Sequence, residues 1–363
     1  MKKIFIKLLI IILNEKNYKF FYEFFYAPFI SKYFQIYFLI RYFFLNKEYK
    51  ISKFSKQKPN LIVISQIQRS GGTLMTQLFD GHKNILSYPS ELIITKPKWD
   101  WSKKKNYYDY KNQISMFARK KKYFKWGSAD EKKLISIKKF NFNYDLIKQK
   151  YIYDKIQQDN NFQSQIYSYF SSFFLSFQNL KKKNFNQKNY ISFFTPRLNM
   201  NKYSMKLFFS SFEKSYAITL FRSPLSWLSS AIRHSRNYRN PNHALNLWNL
   251  STISSYNLKK KYPNRVILIN FEIFVKNTER EMKKICKKLN IKFSKSLLHP
   301  TFNEKKIYSD SSFNTSLGKI DKKVLNREKN LKHDIMKQID KKLLIKANKI
   351  YMKTLNLSLG RKN

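Results

Sequence analysis

The chain is short of several things at once, and each shortage excludes something. A single cysteine, Cys286, stands among 363 residues. No intrachain disulfide is therefore open to it, and no second thiol is at hand for a metal site. Its place in a Lys-rich helical pattern suits a small apolar helix residue, and a reducing compartment fits. Glycine (6) and proline (9) are scarce while Lys, Asn, Ile, Phe and Tyr abound, the composition that an AT-rich genome produces. Hydrophobic residues still make up 43% and aromatics 17%, which excludes wholesale disorder and provides for a sizeable core. Carboxylates are few: 22 Asp and Glu face 72 Lys and Arg, a formal charge of +50. Whether genome bias or function set that charge, it favours anionic partners.

A long apolar run is missing too. Residues 1–13 open like a signal peptide, but the run is short, holds Lys7, and passes into Asn14-Glu15-Lys16 without a small-residue cleavage site. Residues 33–45 are interrupted by Arg41. Neither reaches the roughly 18–20 residues a spanning helix needs. The aromatic and cationic mixture of residues 20–44 suits either a membrane interface or helices packed on the following domain. The expected organisation is an aromatic, basic helical region at 1–58 and one domain at 59–363, with residues 100–190 as a helical insertion on the acceptor side. Helical patterns run near 114–124 and 167–180, and the lysine clusters at 103–105 and 181–183 read as solvated faces. The location expected is cytoplasmic, with an anionic membrane surface as a partner of residues 1–58.

What is present centres on residues 61–91. Leu61-Ile62-Val63-Ile64 is a continuous β-branched and apolar run, as in a buried parallel strand. The polar turn Gln66-Ile67-Gln68-Arg69-Ser70-Gly71-Gly72-Thr73 follows, and then Leu74, Met75, Leu78 and Phe79 recur at helical spacing. Strand, glycine turn and helix form the arrangement in which N–H groups at a helix start cradle a phosphate or sulfate. Arg69, Ser70 and Thr73 add a cation and two hydroxyls. The Lys of a nucleotide-triphosphate loop is absent, and no Ser or Thr stands in the frame that holds magnesium there.

A second informative stretch spans residues 216–234. Ala217-Ile218-Thr219-Leu220-Phe221 reads as a buried strand ending at Arg222, and Ser223-Pro224 opens a helix with Pro in its first turn. Ligands of open α/β sheets bind beyond the carboxyl ends of strands, so Arg222 belongs to the same edge as the glycine turn. A magnesium-dependent kinase or hydrolase usually has an Asp at such a strand end; here it is Arg.

These residues carry a resemblance. Arg69-Ser70-Gly71-Gly72-Thr73-Leu74 resembles the RSGTTL loop of the sulfotransferase superfamily, with Gln66 where Gly is common and Gly72 in place of the first Thr. Arg222-Ser223-Pro224 with Ser230, eight residues on, matches the family's RxP segment. Residues 266–272 read as a strand followed by a helical, basic segment to Ile291, and together, with Glu272, they are similar to the family's "RYEDL … LCxxLGI" region. Ser311-Ser312-Phe313 and Ser316-Leu317-Gly318-Lys319 resemble the SSF…G segment of bacterial and Golgi-type members. Thr195-Pro196-Arg197 resembles a KTPR motif in which Phe194 replaces Lys.

The resemblance implies a three-layer α/β sandwich with a central parallel sheet, a P-loop NTPase-like sulfotransferase fold with helical insertions. It implies 3′-phosphoadenosine 5′-phosphosulfate (PAPS) as donor substrate and sulfuryl transfer to a hydroxyl or amine, without a metal and without a specific nucleic-acid partner. The donor would be bound by Arg69, Ser70, Gly71, Gly72, Thr73, Leu74, Arg222, Ser230, Gly318 and Lys319, with Arg222 and Ser230 on the 3′-phosphate. Many members have a Glu some way after the loop, and Glu91 stands eighteen residues after Thr73, following Ile85-Leu86, which reads as a second short strand. Glu91 is the expected general base and Arg69 the catalytic cation, with His82 and His234 as fallback bases; a salt-bridged structural Glu is the alternative for Glu91. Two other classes stay open: a different P-loop phosphotransferase, and a basic membrane- or polyanion-binding protein that keeps the fold without catalysis.

Overall fold

The computed structural model describes residues 59–92, 146–157, 159, 161–176, 189–302, 304–307 and 317–361. Residues 1–58, the helical pattern expected near 114–124, the lysine clusters at 103–105 and 181–183, and the 311–316 segment lie outside the described residues.

Five strands form one parallel sheet: β1 (Asn60–Ile64), β2 (Ile85–Glu91), β3 (Tyr190–Phe194), β4 (Tyr216–Phe221) and β5 (Val266–Asn270). Their order across the sheet is β2-β3-β1-β4-β5. Both faces are covered, which explains the near-continuous apolar runs. Alternate residues of each strand serve different cores. Leu61, Val63, Ile191, Phe193, Ala217 and Val266 join one cluster; Ile62, Ile64, Phe194, Ile218, Leu220 and Ile269 join another. A one-residue slip of β1 would exchange the two sets, so its register is strongly specified.

The first face is packed by α3 (Phe162–Leu175) and α4 (Lys202–Ser211), which contribute Phe170, Phe173, Met205 and Phe208. The second face is packed by α1 (Gly72–Asp80) and, after the short α7 (Phe271–Lys276), by α8 (Thr278–Leu289). Before α3 runs α2 (Leu146–Ile156), which packs against it. A third cluster lies among α5 (Pro224–His234), α6 (Pro241–Lys261) and α10 (Lys341–Leu359), around Trp227 and Trp248. Two short strands, β6 (Thr301–Phe302) and β7 (Lys305–Lys306), pair antiparallel, and the brief α9 (His333–Gln338) precedes α10.

The structure departs from the sequence reading at three boundaries. β2 does not stop at Leu86: it runs through Pro89 to Glu91, with a register shift against β3 between Ser87 and Glu91. Pro89 lacks a ladder N–H, and an edge strand with a bulge is where a sheet accepts it. The helix expected at 167–180 begins at Phe162, because the Asn161 side chain caps it by accepting from Ser164 N–H at 2.8 Å. β5 ends at Asn270, and Phe271 and Glu272 already belong to α7, since Asn270 Oδ1 accepts from Ile273 N–H at 2.9 Å. Cys286 is buried on α8, and burial raises its thiol pKa to about 11, as a small apolar helix residue requires. Among the described residues no helix is long and apolar enough to cross a membrane.

Candidate active site

The loop after β1 is pinned at nearly every residue by groups distant in sequence. Ser65 N–H donates to Ile218 O at 3.0 Å, and Ser65 Oγ accepts from Asn199 N–H at 2.9 Å. Ile67 N–H donates to Ser251 Oγ at 3.0 Å, and Trp227 Nε1 donates to Gln68 O at 2.8 Å. Gln68 Oε1 accepts from Arg197 Nε at 2.8 Å and from Tyr238 OH at 3.0 Å, while Arg197 Nη2 donates to Tyr238 OH at 2.7 Å. Arg69 and Arg197 both hold positive φ, 69° and 66°. Such backbone costs about 1–3 kcal/mol per residue and persists where the surroundings over-determine it, as they do here.

Gly71 makes the turn into α1 at φ 98°, and a Cβ there would lie 2.5 Å from the Phe271 ring. Only glycine meets both conditions. As N-cap it offers no side-chain acceptor, so the first N–H groups of α1, on Gly72, Thr73 and Leu74, border a cleft with their partial positive charge. The cleft encloses about 810 Å³, part of it open to solvent.

One end of that cleft gathers arginines. Arg222, only 2% exposed, donates from Nε to Ser226 Oγ (2.9 Å), from Nη2 to Val324 O (2.8 Å) and from Nη1 towards Arg69 O (3.5 Å). Its Nε lies 3.6 Å from Glu272 Oε1, and its guanidinium stacks 4.8 Å from the Phe271 ring centre. Burial pulls the Arg222 pKa down to about 10; Glu272 opposes that, and Arg327 and Arg69 add to it. Burial pushes the Glu272 pKa the other way, above its ordinary value, against the pull of Arg222 and of the Ser223 N–H from which it accepts at 3.0 Å. Ser230 Oγ accepts from Arg327 Nη1 at 2.8 Å and from Arg69 Nε at 3.3 Å. Two guanidiniums thus meet on one hydroxyl, and Arg222 lines the same cleft, a concentration of positive charge that an anion of two or more charges would relieve.

The other end holds Glu91 and Phe194, register partners at the carboxyl ends of β2 and β3. With β3 and β1 between them, β2 and β4 lie three strand spacings apart, about 14 Å, so Glu91 and Arg222 flank a groove of nucleotide length. His234 lines the same cleft. His82 does not: it follows the far end of α1, its Nδ1 accepts from Asn84 N–H at 3.2 Å, and its Nε2 bonds Lys292 O at 2.9 Å. Both ring nitrogens are committed to structure.

Of the residues expected from the sequence, Arg69, Gly71, Gly72, Thr73, Leu74, Glu91, Arg222 and Ser230 line one cleft. Ser70 lies just beneath it, 1% exposed. Gly318 and Lys319 are not on its wall: Gly318 turns at φ 69° against the Lys306 stem, and Lys319 is exposed. Their neighbours Ile320 and Asp321 line the cleft instead, with Val324 and Arg327. Arg327 was not legible in advance, for it stands in the Lys-rich run Lys322-Lys323-Val324-Leu325-Asn326-Arg327 with nothing but its burial to single it out. Gln68 lies in the turn that the sequence singles out, but its partners Arg197 and Tyr238 are distant in sequence and only the fold brings them to it. Among the described residues no three His, Cys, Asp or Glu side chains gather to hold a metal ion.

The model of the Sulfotransferase family matches residues 59–295, from the first strand past α8. No curated protein matches the chain by sequence. Among solved structures, it is similar to the sulfotransferase domain from the curacin biosynthetic pathway, with 17% identity over 84% of this chain and 99% of that one, TM-score 0.48. It is similar also to a sulfotransferase from Alicyclobacillus acidocaldarius, with 10% identity over 85% and 98%, TM-score 0.42. At those scores the structural likenesses carry no weight of their own; the family model, over most of the chain, does. The chain belongs to the sulfotransferase family.

Proposed function

We propose that this cleft binds PAPS and transfers its sulfuryl group to a hydroxyl or amine. The observation that carries the reading is the meeting of Arg69, Arg222, Arg327 and Ser230 with the uncapped start of α1 in one cleft that has Glu91 at its other end. In the reaction the sulfur–oxygen bond to the nucleotide phosphate breaks as the acceptor oxygen or nitrogen bonds to sulfur. The acceptor proton passes to the Glu91 carboxylate, and the electron pair leaves with the phosphate as adenosine 3′,5′-bisphosphate. The fork of Arg69 bonds two oxygens at once as charge builds on the leaving phosphate. Arg222, Ser230 and Arg327 hold the 3′-phosphate, and Glu272 holds Arg222. No step calls on a metal ion.

Sulfur-labelled PAPS offered with a panel of glycans, lipids and small hydroxylated or amine compounds tests the reading. Label should enter one acceptor class in the presence of a chelator. Tight donor binding without transfer to any class would favour a non-catalytic polyanion-binding protein. Transfer of phosphate from ATP with magnesium would favour a phosphotransferase.

A further inference from the structure

Beneath the cleft wall lies a polar group that the reading above does not use. The Gln66 carboxamide is 1% exposed, and neither its Nε2 nor its Oε1 has a hydrogen-bond partner. A buried, unpaired amide is costly at both atoms and calls for an explanation. Its position supplies one. A Cβ on Gly72 would lie 2.3 Å from Gln66 Nε2 and 2.5 Å from the Phe194 ring. The carboxamide therefore occupies the room of a residue-72 side chain, directly behind a wall made by Gly72 and Phe194, both of which line the cleft.

The sequence departs from the sulfotransferase pattern at Gln66, Gly72 and Phe194, and these three departures meet at this one point. None is independent: a side chain at 72 would collide with the amide and with the ring. The sheet also says which part of a ligand comes here. Phe194 is the register partner of Glu91, on the base side of the cleft, while Arg222 follows β4, on the other side of β1. In the proposed reaction the group being transferred lies between phosphate and base, which is the part of the cleft that Gly72 and Phe194 line.

We propose that Gln66 is a binding residue for the sulfuryl end of the donor. The Phe194 ring screens its carboxamide in the arrangement described, and when the ring turns aside Nε2 donates to a sulfuryl oxygen, the hydrogen bond that a hydroxyl on residue 72 would otherwise supply. Glycine at 72 is what leaves the amide its path. This deepens the proposed function and rests on it.

Calorimetric titration of the full chain and of Gln66→Met and Phe194→Leu, with PAPS and with adenosine 3′,5′-bisphosphate, tests it. Gln66→Met should lose at least tenfold in affinity for PAPS and less than twofold for the bisphosphate, which has no sulfuryl group. It should also melt no lower than the parent, because it removes an unpaired buried amide. Phe194→Leu, with a lighter cover, should bind PAPS at least as tightly as the parent. If Gln66→Met keeps its PAPS affinity, loses both ligands equally, or melts well below the parent, Gln66 only shapes the loop and the proposal is overturned. If the parent binds neither nucleotide, the donor reading itself fails and takes this proposal with it. Binding of both by the parent with no effect of Gln66→Met sinks this proposal alone.

Discussion

Arg222, buried, and Glu272, partly buried, form a pair whose two members stand in opposite relations to folding and to function. Each is held by the other and by further hydrogen bonds, and removal of one strands the other's charge. Arg222→Met and Glu272→Met should each cost about 3–5 kcal/mol of stability, whereas the double variant should recover most of it. Donor affinity should not recover in the double variant, since the guanidinium is gone. Denaturant melts and a bisphosphate titration on the same three proteins check both halves. The pH dependence has a definite sign. The Glu272 pKa is raised in the folded protein, so the folded state holds its proton longer and the contribution of Glu272 to stability falls as pH rises from its unfolded value through the folded one. Glu272→Gln lacks that slope, and the parent's advantage over it should shrink with rising pH. At the other end of the cleft, Glu91→Gln keeps shape but cannot take a proton. Turnover should drop by about 10²–10⁴ with donor affinity unchanged; a merely structural Glu91 would instead lower the melting temperature and leave turnover per folded molecule intact.

At the scale of elements, the turn from β1 into α1 bears the tightest constraint. Gly71→Ala places a side chain at φ 98° and against the Phe271 ring. It should destabilise the protein by about 1–3 kcal/mol by overpacking alone, measurable as a lowered midpoint in urea. β1, α1, β4 and α5 were legible because each is written locally: a β-branched run, glycine in the turn, Pro224 in a first helical turn. The residues that support them were not. Asn199 reaches Ser65 and Ser251, Trp227 reaches Gln68, and Arg327 reaches Ser230 across gaps of 134, 52, 159 and 97 residues. No local pattern encodes such pairs; only the fold brings them together. The bulge that carries β2 past Pro89 to Glu91 was hidden likewise, because Pro reads as a strand terminator until the edge position is known. Gln66 and Phe194 were visible as departures from a pattern, but their common cause, the space at Gly72, exists only in three dimensions.

Among the described residues one parallel sheet and its helices enclose three core clusters. The chain as a whole carries a large positive charge, and charge at that scale acts on association more than on fold. Affinity for the polyanionic donor should fall as salt rises from low ionic strength, through the loss of the long-range field, and then level off, because buried arginines are screened little. Residues 1–58 are proposed on their composition to add reversible attachment to anionic lipid. A chain starting at Lys58 should bind phosphatidylglycerol vesicles more weakly than the full chain, and equal binding would dismiss the idea. The central claim is that one cleft reads a nucleotide by its 3′-phosphate at the Arg222, Ser230 and Arg327 end. Calorimetry of the full chain with adenosine 3′,5′-bisphosphate and with adenosine 5′-phosphate, both in chelator, addresses it most directly. Hydrogen bonds to charged groups contribute about 1.5–3 kcal/mol each, so the bisphosphate should bind at least tenfold more tightly. Equal affinities, or binding only when magnesium is restored, would contradict the account.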